Sequence, residues 1–223
     1  MRGFANAGSQ RWLQIAVNRK PQLLLSALRR SGAIGPRISV TWTSPLEEDE
    51  LREYRDGAAL AKAGIANLKR PLDSFWPARG PVWDALGISS DGGPVLVEAK
   101  AHIPEAASPA TRASPESRPL IERSLIEARG FYAPRATAVW SGLFYQYANR
   151  LAYQYFLKRV NGVASRLVFL YFVNADDMLG PMSEEEWHGA MRLIHAVLGV
   201  PKDLKPHGVF DVFLDTRLLQ DAV

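Results

Sequence analysis

The segment GGPVLVEAKAHIP, residues 92–104, sets the architecture expected of this chain. Successive residues of a β-strand point to opposite faces of the sheet, so alternate positions share a side. One face carries Pro94, Leu96, Glu98 and Lys100, and the other carries Val95, Val97 and Ala99. A strand otherwise suited to a protein core therefore ends with a glutamate and a lysine on the same face.

The segment before this strand predicts its hairpin partner. VWDALGI, residues 82–88, is a second apolar run, and the cluster SSDGG separates it from the apolar run at 94–103. Two such runs joined by a Ser-Asp-Gly-Gly turn are typical of a β-hairpin. The hairpin brings Asp84, fourteen residues before Glu98, opposite the end of the Glu98 strand.

Two carboxylates and one ammonium group are expected to meet at this point. The carboxylates of Asp84 and Glu98 repel each other unless a divalent cation lies between them, and oxygen ligands of this kind suit Mg²⁺. Lys100 beside a metal can orient or deprotonate a water, or balance the charge of a phosphate. The pattern therefore favours metal-assisted hydrolysis of a phosphodiester.

The remaining segments alternate between helical and strand periodicity. Ser44 with Glu47 and Ser183 with Glu186 have the spacing of capping boxes at helix starts. Helices are predicted at 9–19, 21–30, 46–64, 118–129, 136–160 and 184–198, and further strands at 37–43, 166–173 and 208–216. This order predicts an α/β fold with a mixed central sheet of about five strands flanked by helices, in a single domain over residues 1–223.

The helix predicted at 136–160 has two different sides. Its core-facing positions are Trp140, Leu143, Phe144, Tyr147, Ala148, Leu151, Ala152, Tyr155 and Phe156. The other side carries Gln146, Asn149, Arg150 and Tyr153. Such a stripe is by default the solvated face of an amphipathic helix, but its amide and phenol groups favour a binding site.

The segment 104–119, PEAASPATRASPESRP, is rich in Pro, Ala and Ser and predicts a mobile loop. It begins four residues after Lys100, so it leaves the strand close to the proposed site. Arg112 and Arg118 would let the loop close over a phosphate backbone. An inert surface insertion is the alternative interpretation.

At these residues the chain resembles the PD-(D/E)XK nuclease superfamily, which has the restriction-endonuclease-like fold. The resemblance rests on Asp84 followed by Glu98-Ala99-Lys100, with Ala99 as the variable position, and on the element order from about residue 9 to 173. Two departures accompany it. Trp83 stands where the proline of the motif name would precede the aspartate, and the first helices lack the acidic residue that the family often has there.

The resemblance implies a nuclease that hydrolyses phosphodiester bonds in DNA. Asp84 and Glu98 would ligate Mg²⁺, with Mn²⁺ as a substitute, the Ala99 carbonyl would contribute a ligand, and Lys100 would assist catalysis. The family often adds a polar residue from the following helix to contact nucleic acid. The candidates here are Gln146, Asn149, Arg150 and Tyr153.

Simpler interpretations of the same residues stay open. Glu98 and Lys100 can be charges at an exposed strand end that discourage aggregation. Asp84 can be a turn residue, with Asp73 competing for the role of upstream carboxylate, and His102 near the site is more often structural than a ligand. A catalytically inactive nucleic-acid-binding or scaffold protein that retains the fold is the alternative function.

Composition sets wider limits on the protein. The apolar fraction of 47% suits a soluble globular protein, and 27 basic against 23 acidic residues allow nucleic acid as a partner without requiring it. There is no cysteine, which fits a reducing cytoplasm. No signal peptide or membrane span is recognisable, so we expect a cytoplasmic protein without a membrane partner, and the oligomeric state, a homodimer included, stays open.

Overall fold

The computed structural model describes residues 3–222, so Met1, Arg2 and Val223 of the predicted domain lie outside the described residues. The helices are α1 (Gly8–Asn18), α2 (Pro21–Ser31), α3 (Asp56–Lys62), α4 (Ile103–Ala106), α5 (Arg118–Tyr132), α6 (Tyr145–Tyr155) and α7 (Glu184–Leu198). The strands are β1 (Val40–Ser44), β2 (Ala85–Ser89), β3 (Pro94–Lys100), β4 (Arg166–Val173) and β5 (Val209–Asp215). A π-helical turn at Phe156–Val160 continues α6.

The five strands form one mixed sheet in the order β1-β2-β3-β4-β5. The β1–β2 and β2–β3 pairs are antiparallel, whereas the β3–β4 and β4–β5 pairs are parallel. Helices α1 and α2 pack on one face, and α5, α6 and α7 pack on the other. The predicted α/β fold with a mixed five-stranded sheet flanked by helices is confirmed.

The alternation predicted for β3 is also confirmed. Val95, Val97 and Ala99 are buried against the α1–α2 layer, and Leu96 is buried in the layer of α5, α6 and α7. The hairpin register pairs Ala85 with Val97, so the residue before Ala85 lies opposite Glu98. The register of the hairpin therefore brings the two carboxylate-bearing positions together.

The helix predicted at 46–64 is wrong over its first half. A single 3-10 turn, Glu47–Asp49, is followed by irregular backbone until α3 begins at Asp56. The Ser44 hydroxyl donates to the Arg52 carbonyl, and the Glu47 amide is bound by the side chain of Asn18. The expected capping box is absent because contacts with distant residues satisfy its groups.

The helix predicted at 136–160 starts nine residues late. Phe144 adopts the left-handed conformation, with φ of +62°, and α6 begins after it. The preceding segment is held by distant partners: the Trp140 indole donates to the Leu198 carbonyl at 3.0 Å, and the Ala138 carbonyl accepts from Arg129 at 2.6 Å. These contacts hold 136–139 as irregular backbone and precede turns at 140–144, and Leu143 is exposed rather than in the core.

Local residues fix the start of α7 and the end of α2. The Ser183 hydroxyl accepts from the Glu186 amide and caps α7, as the spacing of these two residues predicts, and Glu184–Glu186 are exposed charges of its first turn. Gly32 ends α2 in the left-handed conformation. Within residues 3–222, no helix is both long and apolar enough to cross a bilayer.

Candidate active site

A cleft of about 990 Å³ lies at the carboxyl end of β3. Its walls are formed by residues 76–82 and 108–114, which we call the cleft walls. Between the walls lie the predicted site residues Asp84, Glu98, Ala99 and Lys100, together with Gln146, Asn149 and Arg150 of α6. The structure thus brings all but one of the residues singled out for the site into one cavity.

Glu98 is the most enclosed acidic group of the site, with 3% of its surface exposed. One carboxylate oxygen accepts from Lys100 Nζ at 2.6 Å, and the other accepts from Arg150 Nε at 2.6 Å. Burial alone would raise the pKa of Glu98, but the charges of Arg150 and Lys100 outweigh it and hold the pKa below its ordinary value. Glu98 is therefore an anion clamped between two cations.

Asp84 immediately precedes β2, and its Oδ2 accepts from the Ala99 amide at 2.7 Å. Burial, with repulsion from the Glu98 carboxylate as a second cause, raises the pKa of Asp84 to about 8. Two neighbouring carboxylates favour the uptake of a positive charge, whether as a proton or as a cation. Of the two, Asp84 is the carboxylate whose pKa is raised, so it is the one that favours this uptake.

Lys100 spans the space between the strand and α6. Its Nζ donates to Glu98 Oε1 and, at 3.1 Å, to Gln146 Oε1. Burial would lower the pKa of Lys100, but the negative charges of Glu98 and Asp84 raise it above its ordinary value. Lys100 is thus an ammonium in this arrangement.

Arg150 has a role that the sequence did not reveal. Its guanidinium binds Glu98, donates to the Val82 carbonyl at 2.6 Å and lies 4.6 Å from the centre of the Trp83 ring. Asn149 Oδ1 accepts from the same guanidinium at 3.0 Å. Only 4% of Arg150 is exposed, so it borders the cleft as the buried partner of Glu98 rather than as a free cation that would contact nucleic acid.

Tyr153 does not line the cleft, which corrects its expected role in contacting nucleic acid. Its ring packs against Trp76 and Trp83, with ring centres 5.6 and 5.8 Å away, and 2% of the residue is exposed. Gly80 lies so close that a Cβ there would sit 2.8 Å from the Tyr153 hydroxyl oxygen. Tyr153 therefore supports one cleft wall from behind.

That wall carries a cation that sequence reasoning missed. The carboxylate of Asp56 accepts from the main-chain amides of Arg79 and Gly80, both at 2.9 Å, and so fixes the loop. The Arg79 side chain is exposed and its guanidinium forms no hydrogen bond or ion pair with any residue in 3–222. A Pro-Ala-Arg-Gly-Pro loop just before the hairpin was the available signal.

The opposite wall comes from the predicted loop at 104–119. The loop begins with α4, and Ser108 and Thr111 are buried rather than free: the Ser108 hydroxyl accepts from the Gln146 amide at 2.9 Å, and the Thr111 amide donates to Ser141. Arg112 is exposed on this wall and, like Arg79, its side chain has no partner among the described residues. The segment is thus anchored to the start of α6.

Three other candidates lie away from the cleft. Asp73 is exposed on a 3-10 turn, so Asp84 alone fills the role of upstream carboxylate. His102 lies beside Glu105, 3.5 Å from its carboxylate. Arg118 starts α5 and faces Glu122 at 3.9 Å.

Asp84 and Glu98 are the two carboxylates of the cleft that could share a divalent cation. A cation beside them would favour the charged form of Asp84, against the burial and the repulsion from Glu98 that raise its pKa. In the described part of the chain no group of three or more His, Cys, Asp or Glu side chains could hold a metal ion. The two carboxylates of the cleft therefore do not make up such a group by themselves.

The comparisons with known proteins add no relative. Neither the family models, nor the curated proteins, nor the solved structures contain a match to this chain.

Proposed function

We propose that this protein is a Mg²⁺-dependent nuclease that hydrolyses phosphodiester bonds in DNA, as the resemblance to the PD-(D/E)XK superfamily implies. The observation that carries the proposal is the convergence of Asp84, Glu98 and Lys100 between the cleft walls. The cytoplasm is the location that goes with it, because the chain has no cysteine. Mn²⁺ would serve as a substitute metal.

Asp84, Glu98 and the Ala99 carbonyl would hold the metal ion. When bound, the ion would supply positive charge for the phosphate and lower the pKa of a bound water. Lys100 is charged in this environment, so we assign it the role of stabilising negative charge on the phosphate rather than that of a general base. Gln146 holds the Lys100 ammonium at 3.1 Å and fixes its direction.

Phosphates on either side of the cut would be held by the cleft walls. Arg79 and Arg112 are free to pair with them because no carboxylate among residues 3–222 neutralises either side chain. Such contacts position a nucleic acid without reading its sequence. Gln146 is exposed in the cleft between these cations and would offer its amide nitrogen to the substrate, whereas Asn149 is buried and its Oδ1 accepts from Arg150.

Cleavage of mixed nucleic acids tests the proposal. Wild-type protein is incubated with single- and double-stranded DNA and RNA in Mg²⁺ or Mn²⁺, beside Lys100→Ala and the matched surface variant Lys69→Ala. We expect metal-dependent cleavage of DNA by the wild type and Lys69→Ala, and a loss of at least about a hundredfold in Lys100→Ala. Equal cleavage by all three proteins, or none by the wild type, would contradict the proposal.

A catalytically inactive nucleic-acid-binding protein is the second candidate, and one observation favours it. Both oxygens of Glu98 already bind cationic side chains, Lys100 and Arg150, so the carboxylate is neutralised without a metal. Titration with Mn²⁺ followed by electron paramagnetic resonance separates the candidates. Binding that is lost in Glu98→Gln favours the nuclease, whereas DNA binding with no Mn²⁺ binding favours the inactive protein.

A further inference from the structure

A second cavity, of about 500 Å³, lies beside the C-terminal half of α7. We call it the α7 cavity, and the residues that matter for its chemistry are His188, Met191, Arg192, His195, Val200 and Lys202. It shares no lining residue with the cleft. Its size falls within the range of pockets that hold small ligands.

The rim of the α7 cavity is positively charged. Arg192 and Lys202 are exposed, and within residues 3–222 neither side chain has a hydrogen-bond or ion-pair partner. No carboxylate of the described residues lines the cavity. Asp203, the acidic neighbour of Lys202, turns to accept from the Lys205 amide at 2.9 Å. Two cations thus face the cavity without a counter-ion, which suits a phosphate group.

The interior of the same cavity is apolar and fixed. Met191 and Val200 are 6% and 7% exposed and belong to the core that backs the cavity. His195 is buried, and its Nε2 lies 2.7 Å from the Tyr147 hydroxyl, which fixes the direction of the imidazole ring. An apolar floor beside a basic rim suits a flat aromatic group that carries a phosphate.

We propose that the α7 cavity binds a nucleotide, with the base against Met191 and Val200 and the phosphate at Arg192 and Lys202. Two sources share this chemistry, a free mononucleotide and a nucleotide within a strand. Tyr147, whose hydroxyl binds His195 of the α7 cavity, follows Gln146 of the cleft in sequence, so α6 contributes to the surroundings of both cavities.

Binding without metal tests this proposal independently of catalysis. The probes are AMP, adenosine and oligo-dT, titrated in EDTA by calorimetry into wild type, Arg192→Ala/Lys202→Ala and Arg37→Ala/Lys69→Ala. The last variant removes the same charge from exposed positions outside both cavities. We expect AMP to bind the wild type more tightly than adenosine, and the α7 cavity variant to lose at least about tenfold in affinity for a phosphate-bearing probe.

The outcomes separate the two sources and the two sites. A loss confined to AMP identifies a free nucleotide as the ligand, and a larger loss for oligo-dT identifies a strand. Lys100→Ala, titrated in parallel, reports any AMP that binds in the cleft, and because EDTA removes the metal, failure of the nuclease proposal leaves this one standing. Equal affinities of both double variants for AMP and for oligo-dT would overturn it, as would AMP binding that only Lys100→Ala abolishes.

Discussion

Arg150 shows at the residue scale how one side chain can hold a site together. Its guanidinium and the Glu98 carboxylate form an ion pair in which 5% and 3% of the side chains are exposed. Such a pair costs much to desolvate, and each partner depends on the other to offset that cost. Loss of the arginine would leave Glu98 with Lys100 as its remaining cationic partner.

We expect Arg150→Ala to lower the free energy of unfolding by about 3–5 kcal/mol, because it leaves a buried carboxylate partly unpaired. Arg217→Ala is the matched control, because Arg217 pairs with Asp215 at the surface and such pairs contribute at most about 1 kcal/mol. Urea denaturation at neutral pH measures both. Similar small losses in the two variants would show that Arg150 is not a structural partner of Glu98.

Asp211 gives a second prediction at this scale. Burial raises the pKa of Asp211 from 3.8 to about 7, and its Oδ1 has no hydrogen-bond partner. Between about pH 4 and pH 7 the folded protein therefore keeps a proton on Asp211 that the unfolded chain has released. The stability that this protonation contributes is full below about pH 4 and is lost as the pH rises to 7. At about 1.4 kcal/mol per pKa unit, the upper bound is about 4 kcal/mol.

Asp211→Asn removes this titration. We expect the stability of the variant relative to wild type to rise between pH 4 and pH 7, measured by urea denaturation at a series of pH values. Parallel pH profiles for the two proteins would contradict the assignment.

At this scale, the sequence predicts those features of a side chain that depend on its near neighbours along the chain. The shared face of Glu98 and Lys100 follows from the two-residue repeat of a strand. The pairing of Glu98 with Arg150 joins residues 52 positions apart and depends on how α6 docks, which no local pattern records. Tyr153 was misplaced for the same reason, since the tryptophans that cover it come from another segment.

Helix α6 dominates the element scale, because it supplies Gln146, Asn149 and Arg150 to the cleft. Its first turn is capped from outside the helix, by the hydroxyl of Ser108. The cap therefore ties a cleft wall to the helix that carries the site. A free loop would tolerate a deletion of 106–116, but because this segment caps α6 we expect the deletion to weaken the fold.

We expect Ser108→Ala to lower the free energy of unfolding by about 0.5–2 kcal/mol, the usual loss for a helix cap. Ser183→Ala is the matched control, because Ser183 caps α7 away from the cleft. Both variants should lose similar stability in urea, but Ser108→Ala alone should weaken DNA binding. Equal DNA affinity of the two variants would refute the link between the wall and α6.

Periodicity predicted the existence of the long helices, whereas a capping spacing alone did not predict where a helix begins. Ser183 acts as a cap, whereas Ser44 has the same spacing to a glutamate and does not. Capping contributes about 1 kcal/mol, and contacts with distant residues outweigh it around Glu47. The start of α6 was predicted too early because the Trp140 indole binds the Leu198 carbonyl at the end of α7, a contact that no local pattern records.

On the scale of the whole molecule, the cationic side chains without an acidic partner are concentrated at particular places on the surface. The net charge is only +4, yet the cleft walls carry Arg79 and Arg112 without counter-ions among the described residues. Each cation that contacts a phosphate releases counter-ions from DNA and steepens the dependence of binding on salt. Composition gives the net charge, and only the fold shows which cationic side chains have no acidic partner.

We expect Arg79→Ala/Arg112→Ala to lower the slope of log affinity against log salt concentration by about 2, at roughly 0.9 for each lost phosphate contact. Arg37→Ala/Lys69→Ala has the same net charge and should keep the wild-type slope. Fluorescence anisotropy with labelled DNA over a salt series measures both. Identical slopes for the two double variants would place the DNA elsewhere on the surface.

The central position of β3 has a consequence for the order of folding. Its hairpin with β2 closes a short stretch of chain, whereas its parallel pairing with β4 and the docking of α6 close long ones, and long closures are slow. We therefore expect the chain to bring its two carboxylates together before Arg150 reaches them. We expect Arg150 to contribute little to the transition state, so that its replacement mainly speeds unfolding. On this order, Lys100 of the same strand is the first partner of Glu98, and the buried ion pair with Arg150 forms when α6 docks.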